Sequence, residues 1–238
     1  SAIFYIFMGC SMVFVGIFVF FYYFCIEFIN QQTMFRNLPP ITKNLLLINL
    51  ICWLADLALG RHGIDLTHWL GLHYVMASDF YLWQPLTYMF MHANFSHLFF
   101  NMFAVLMFGP ALEERWGGKR FLIYYLITGL GAAIVQESVW ALQLQPLLNT
   151  VTPTMSAALA NRVVTIGASG AVFGILLAFG WLFPDVRMFI LFIPIPIRAR
   201  LLVLIYAMVE LFAGLAPTAG DNVAHFAHLG GMLFGWLL

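Results

Sequence analysis

The chain has 238 residues, of which 63% are hydrophobic and 8% charged, with a mean hydropathy of +0.94 and a formal net charge of zero. A soluble domain carries about 25% charged residues, so too few charges are present to cover a water-facing surface, and the solvent is a bilayer. Zero net charge argues against nucleic acid as a partner.

The first apolar run, residues 2–29, is interrupted only by Gly9, Ser11, Gly16 and Glu27. It is long enough to span with tilt and too long for a signal-peptide core. A polar segment with Arg36, Pro39 and Pro40 follows, and residues 45–59 form the next apolar run. Residues 61–84 mix Arg61, Asp65 and Asp79 with His62, His68, His73 and the aromatics Trp69, Tyr81 and Trp83. That mixture suits a segment lying in the membrane interface, where these histidines are interfacial side chains. Residues 98–112 are apolar around Asn101 and end in a tight charged turn, residues 113–120. Residues 121–140 are the next span, and residues 143–164 read as a polar loop with Pro146 and Pro153. Gly167-Ala168-Ser169-Gly170 opens the apolar run that ends at Pro184. A connector with Arg187, Arg198 and Arg200 leads to a span over residues 201–215 that contains Glu210. A short loop precedes the last helix, residues 224–238. The cysteines Cys10, Cys25 and Cys52 all fall in apolar runs and read as buried thiols.

Seven apolar helices result, one at the N-terminus and six after it. If they alternate, Arg36, Lys43, Arg115, Lys119, Arg120, Arg187, Arg198 and Arg200 fall on one side. Only Arg61 and Arg162 fall on the other. Lysine and arginine accumulate in cytoplasmic loops, so Ser169, His228, His97 and Asn101 all come to lie just below the outer surface.

That coincidence of depth carries the chemistry. Alone, a serine between glycines in a membrane helix is a packing position, and a histidine at a helix start is interfacial. Together, a hydroxyl and an imidazole make a nucleophile and its base. Gly170 and Gly174 on one helix, and Gly231 and Gly235 on the other, are small-residue faces that let backbones approach. Phe173, one turn after Ser169, can stack on the His228 ring. His97 and Asn101, at i and i+4, can aim donors at a developing oxyanion, with the Ser169 backbone N–H. No acid is obviously placed to orient His228, since Asp221 falls in a loop, which favours a Ser-His dyad over a triad. His225 and His228 lack an evident third metal ligand, so no metal is expected. Glu113 and Arg115 read as a structural turn.

The combination resembles the rhomboid family of intramembrane serine proteases. It is carried by Gly167-Ala168-Ser169-Gly170 opening a helix, by His228-Leu229-Gly230-Gly231, and by His92, His97 and Asn101 followed by Glu113 and Arg115. The resemblance covers residues 34–238. It implies an all-α polytopic fold with a six-helix catalytic domain, residues 34–238, and an extra N-terminal transmembrane helix, residues 1–33. It further implies Ser169 as nucleophile, His228 as general base, His97 and Asn101 as oxyanion donors, and Gly167, Gly170 and Phe173 in support. Trp83 matches the tryptophan of the interfacial first loop. Two positions depart from the pattern: Gln84 stands where the family often has Arg, and Phe173 where some members carry Tyr. The implied activity is an endopeptidase that uses no cofactor and cuts transmembrane segments of other membrane proteins near the outer face. Its setting would be the lipid bilayer of a bacterial inner membrane, with the site toward the extracytoplasmic side. The rival is a noncatalytic rhomboid-like protein that binds transmembrane clients. A transporter is disfavoured because no inverted repeat is found.

Overall fold

The computed structural model describes residues 38–190, 193–216 and 224–238. The expected N-terminal span, Cys10, Cys25, Arg36 and Asp221 lie outside them. Helices dominate, as composition requires. In lipid a backbone must satisfy its own polar groups, and the helix does so within one segment.

Helix α1, Pro40–Gly60, starts on two prolines and has no side-chain cap of its own. Its donors are met from far along the chain. Glu113 accepts the backbone N–H of Ile41 at 2.9 Å, and both the N–H and the hydroxyl of Thr42 at 2.7 and 2.8 Å. A buried carboxylate at a helix N-terminus also complements the helix dipole. Glu113 is therefore a structural residue, and it bonds the start of α1.

After α1 the chain runs through the short helix α2, Leu66–Leu70, and strand β1, Leu72–His73. Helix α3, Gln84–Thr87, continues into a 3-10 turn, Tyr88–Phe90. Tyr81 stacks on Trp83 at 4.7 Å and on Trp69 at 5.6 Å. His73 differs from expectation: it is buried, and its Nε2 donates to the His68 carbonyl.

Helix α4, Phe95–Trp116, is capped by Asn94, whose side chain accepts from the His97 N–H. Its buried residues Leu98, Asn101, Val105, Gly109 and Leu112 follow helical periodicity. Gly117, at φ +81°, is the single residue between α4 and helix α5, Gly118–Leu148. At 31 residues α5 is longer than expected and takes in Gln143, Gln145 and Pro146. Glutamine is a competent helix former, and Pro146 falls in the last turn, where one lost hydrogen bond is tolerated. The rest of the expected loop holds helix α6, Pro153–Ala160, capped by Thr152 with proline at its first position. Strand β2, Val164–Thr165, then pairs antiparallel with β1.

Helix α7, Ser169–Leu182, is buried on nearly every side and packs against α4, α5 and the last helix. The connector after it is a hairpin, β3 (Arg187–Ile190) with β4 (Ile193–Arg198). Helices α8, Ala199–Leu215, and α9, His225–Leu237, complete the bundle. Among the described residues, α1, α4 and α5 are long and apolar enough to cross a membrane, while α7 is apolar but shorter. Leu47, Ile51 and Leu54 on α1, and Leu204, Val209 and Phe212 on α8, are exposed. In water such faces would drive association; in a bilayer they meet lipid.

Candidate active site

Ser169 is the first residue of α7, and the chain ahead of it is held at several points. The β1–β2 ladder fixes Val164–Thr165, and the Gly167 N–H donates to the Tyr88 carbonyl at 2.9 Å. Gly167 has φ +129°, a conformation other residues rarely adopt. A Cβ there would also come within 2.7 Å of the His97 ring. Glycine at 167 therefore lets the serine turn form and lets His97 lie against it.

The last helix brings the imidazole. Gly231 of α9 rests directly on the Gly170 carbonyl of α7, leaving no room for a Cβ. Gly235 likewise comes beside Gly174 and the Tyr124 hydroxyl. At this approach the His228 Nε2 lies 2.8 Å from the Ser169 Oγ. Phe173 stacks on the same ring at 4.4 Å, with planes 6° apart.

His97 and Asn101 line the other side. His97 lies in the first turn of α4, with its ring against Gly167 and edge-on to His92 at 5.0 Å. The Asn101 amide is buried and donates to the His97 carbonyl at 3.0 Å. The His97 ring faces the serine turn, while Asn101 commits one amide hydrogen within its own helix.

Sequence reasoning left Glu210 without a role and placed no acid against His228. The structure differs. The Glu210 Oε2 lies 2.9 Å from His228 Nδ1 and 2.6 Å from His225 Nδ1. Glu210 is 9% exposed. An ionisable residue inside an apolar span was the available signal, but its partners come from a different helix.

Nucleophile candidate, base candidate and acid thus form one continuous chain of hydrogen bonds in a partly enclosed, apolar setting. Comparison with known proteins gives the family of the chain. A model of the rhomboid domain matches residues 79–238, which include Ser169, His228, His97, Asn101 and Glu210. The chain is 30% identical over 213 residues to "Putative rhomboid protease YdcA" of Bacillus subtilis, covering 88% of this chain and 91% of that one. It is 31% identical over 156 residues to "RHOMBOID-like protein 6, mitochondrial" of Arabidopsis thaliana, covering 66% of this chain and 42% of that protein. It is also 30% identical over 209 residues to "Rhomboid-like protein 11, chloroplastic" of the same plant, covering 82% and 64%. The chain therefore spans less than two thirds of these plant relatives and nearly the whole of the bacterial one. With a family model over more than half of its length and a relative aligned along almost all of it, the chain belongs to the rhomboid family of integral membrane proteins.

Proposed function

We propose that the protein is an intramembrane serine endopeptidase working through Ser169 and His228. The observation that carries this reading is the 2.8 Å contact between Ser169 Oγ and His228 Nε2. A serine hydroxyl is a weak nucleophile until a base takes its proton. His228 takes that proton as Oγ bonds to the carbonyl carbon of the scissile peptide. The carbonyl oxygen becomes an oxyanion, met by the Ser169 backbone N–H, the His97 ring and the free amide hydrogen of Asn101. His228 then gives its proton to the departing amine, the peptide C–N bond breaks, and an ester remains on Ser169. Water, losing a proton to His228, attacks that ester; a carboxylic acid leaves and the serine regains its hydrogen.

The substrate is a transmembrane segment of another protein, unwound near the cut so that its carbonyl is accessible. The catalytic unit is residues 34–238, with an additional helix in residues 1–33. By the distribution of positive residues, the site faces the extracytoplasmic side of a bacterial plasma membrane. By resemblance to the family, helix α8 together with residues 216–223 is the gate. The name of the bacterial relative supports the protease reading over the noncatalytic one.

The test is labelling of the detergent-solubilised protein with a fluorophosphonate probe. Wild type should label, and Ser169→Ala and His228→Ala should not. A wild type that does not label, or a Ser169→Ala variant that labels equally, sinks the reading in favour of a client-binding protein.

A further inference from the structure

Helix α8 has four buried residues: Ala199, Leu202 and Val203 near its start, and Glu210. The second half of α8 thus buries a carboxylate and no apolar side chain. Burying an ionisable group in an apolar helix is costly unless it is paired. Glu210 is paired with His228 Nδ1 at 2.9 Å and with His225 Nδ1 at 2.6 Å, both through Oε2.

A carboxylate only accepts hydrogen bonds. The bond therefore requires the hydrogen of neutral His228 to be on Nδ1, which leaves the Nε2 lone pair facing Ser169. That is the tautomer able to take the serine proton. Once His228 is protonated, the same carboxylate faces an imidazolium. The ring is also held in two independent ways: Glu210 and Ser169 grip its edge, while Phe173 covers its face. His225 donates to the same oxygen and holds it toward α9.

We propose that Glu210 is a positioning residue for His228, making the site a Ser169–His228–Glu210 chain in which the acid fixes the tautomer and stabilises the imidazolium. The proposal rests on the protease reading above. Glu210, His225 and His228 could also be read as metal ligands, since their donor atoms lie within 4.8 Å of one another. The distances favour hydrogen bonds. Around a tetrahedral zinc with bonds of about 2.0–2.2 Å, neighbouring ligand atoms stand roughly 3.3 Å apart, wider than the 2.6 and 2.9 Å found here.

Among the described residues, the charged and titratable groups facing His228 come from three other elements and its own. Glu210 comes from α8, Ser169 from α7, His97 from α4 and His225 from α9. Helix α5 meets α9 beside His228 through Ala132 and Val135, which do not titrate, and its Tyr124 hydroxyl lies against Gly235, two turns further along α9. Removing the Glu210 charge should therefore act on His228 directly and make its imidazolium harder to form.

The experiment measures the rate of fluorophosphonate labelling of the full chain in detergent against pH, for wild type, Glu210→Gln, Glu210→Asp and His225→Gln. Thermal melting is followed in parallel. Glu210→Gln should label about tenfold more slowly or worse, with its acid limb displaced to lower pH. Glu210→Asp should recover part of the rate, and His225→Gln, which loosens the carboxylate without removing its charge, should slow labelling less than Glu210→Gln. Glu210→Gln with the wild-type rate and acid limb overturns the proposal. So does a loss that only follows melting with the limb unmoved, because a latch between α8 and α9 would do that. Wild-type labelling that a chelator abolishes and zinc restores overturns it in favour of a metal site. A wild type that never labels overturns the protease reading itself, whereas an unaffected Glu210→Gln in a labelling background overturns this proposal alone.

Discussion

Phe173 lies flat against His228, with ring centroids 4.4 Å apart and planes inclined by 6°. It stands one helical turn after Ser169, so one face of α7 supplies both the hydroxyl and the surface on which the imidazole rests. Tyr206 of α8 meets Phe173 edge-on at 6.2 Å. Such ring pairs contribute about 0.5–1.5 kcal/mol beyond their buried area. Phe173→Ala should therefore slow probe labelling about two- to tenfold, and Phe173→Tyr should label near the wild-type rate. Equal rates for wild type and Phe173→Ala would show that the stack does not hold the ring.

Asn101 and His97 are separable by what each also supports. Asn101→Ala removes one buried amide, and its loss should lower turnover by about 10²–10³ with little change in melting temperature. His97→Ala should lower both, because the His97 ring packs on the strained Gly167 turn. Peptide-cleavage kinetics beside thermal melting would separate the two. Unchanged turnover in Asn101→Ala would remove that residue from the oxyanion site.

Glu113 lies toward the opposite end of α4 from the site. Glu113→Ala leaves two backbone donors and the Thr42 hydroxyl at the start of α1 without their acceptor. Each orphaned group costs about 1–3 kcal/mol where water cannot reach it. The variant should melt several degrees lower while still labelling at Ser169 below its transition. A variant as stable as wild type would mean water replaces the carboxylate.

His92, in the segment before α4, is 1% exposed. Burial foremost, and then the neighbouring His97, pushes its imidazole down to about 3. In an unfolded chain a histidine binds its proton near pH 6.5. Between roughly 6.5 and 3 the unfolded chain therefore takes up a proton that the native site refuses. The contribution of His92 to stability is complete above that window and falls as the pH is lowered through it. Melting temperatures from pH 7 to pH 4 should drop less steeply in His92→Gln than in wild type. Parallel slopes would assign the acid sensitivity to other groups.

Much of this arrangement was legible in the sequence. The apolar runs set the helices, and the small residues at Gly170 and Gly231 announced a close crossing. Phe173, at the spacing of one turn, announced the stack. The Glu210–His228 bond was not legible. Its two residues stand on different helices, and neither helical register nor spacing relates residue 210 to residue 228. The length of α5 was hidden by glutamines and a late proline, which look polar and disruptive yet sit comfortably in a final turn. The β3–β4 hairpin was hidden for the opposite reason, because Pro194 and Pro196 read as a break where an isolated two-stranded edge tolerates them.

The bonds from Glu113 to Ile41 and Thr42 also bear on the order in which the bundle can be assembled. They join residues 71 and 72 positions apart. When α1 first enters the bilayer, the residue that will satisfy its leading donors has not yet been synthesised, and only interfacial water can serve them. Until then Lys43 and Arg61 can anchor the ends of α1 at the interface, but its first turn lacks a protein acceptor. The arrival of the last turn of α4 supplies one. In this chain, the leading turn of one helix is completed by the end of a helix made after it.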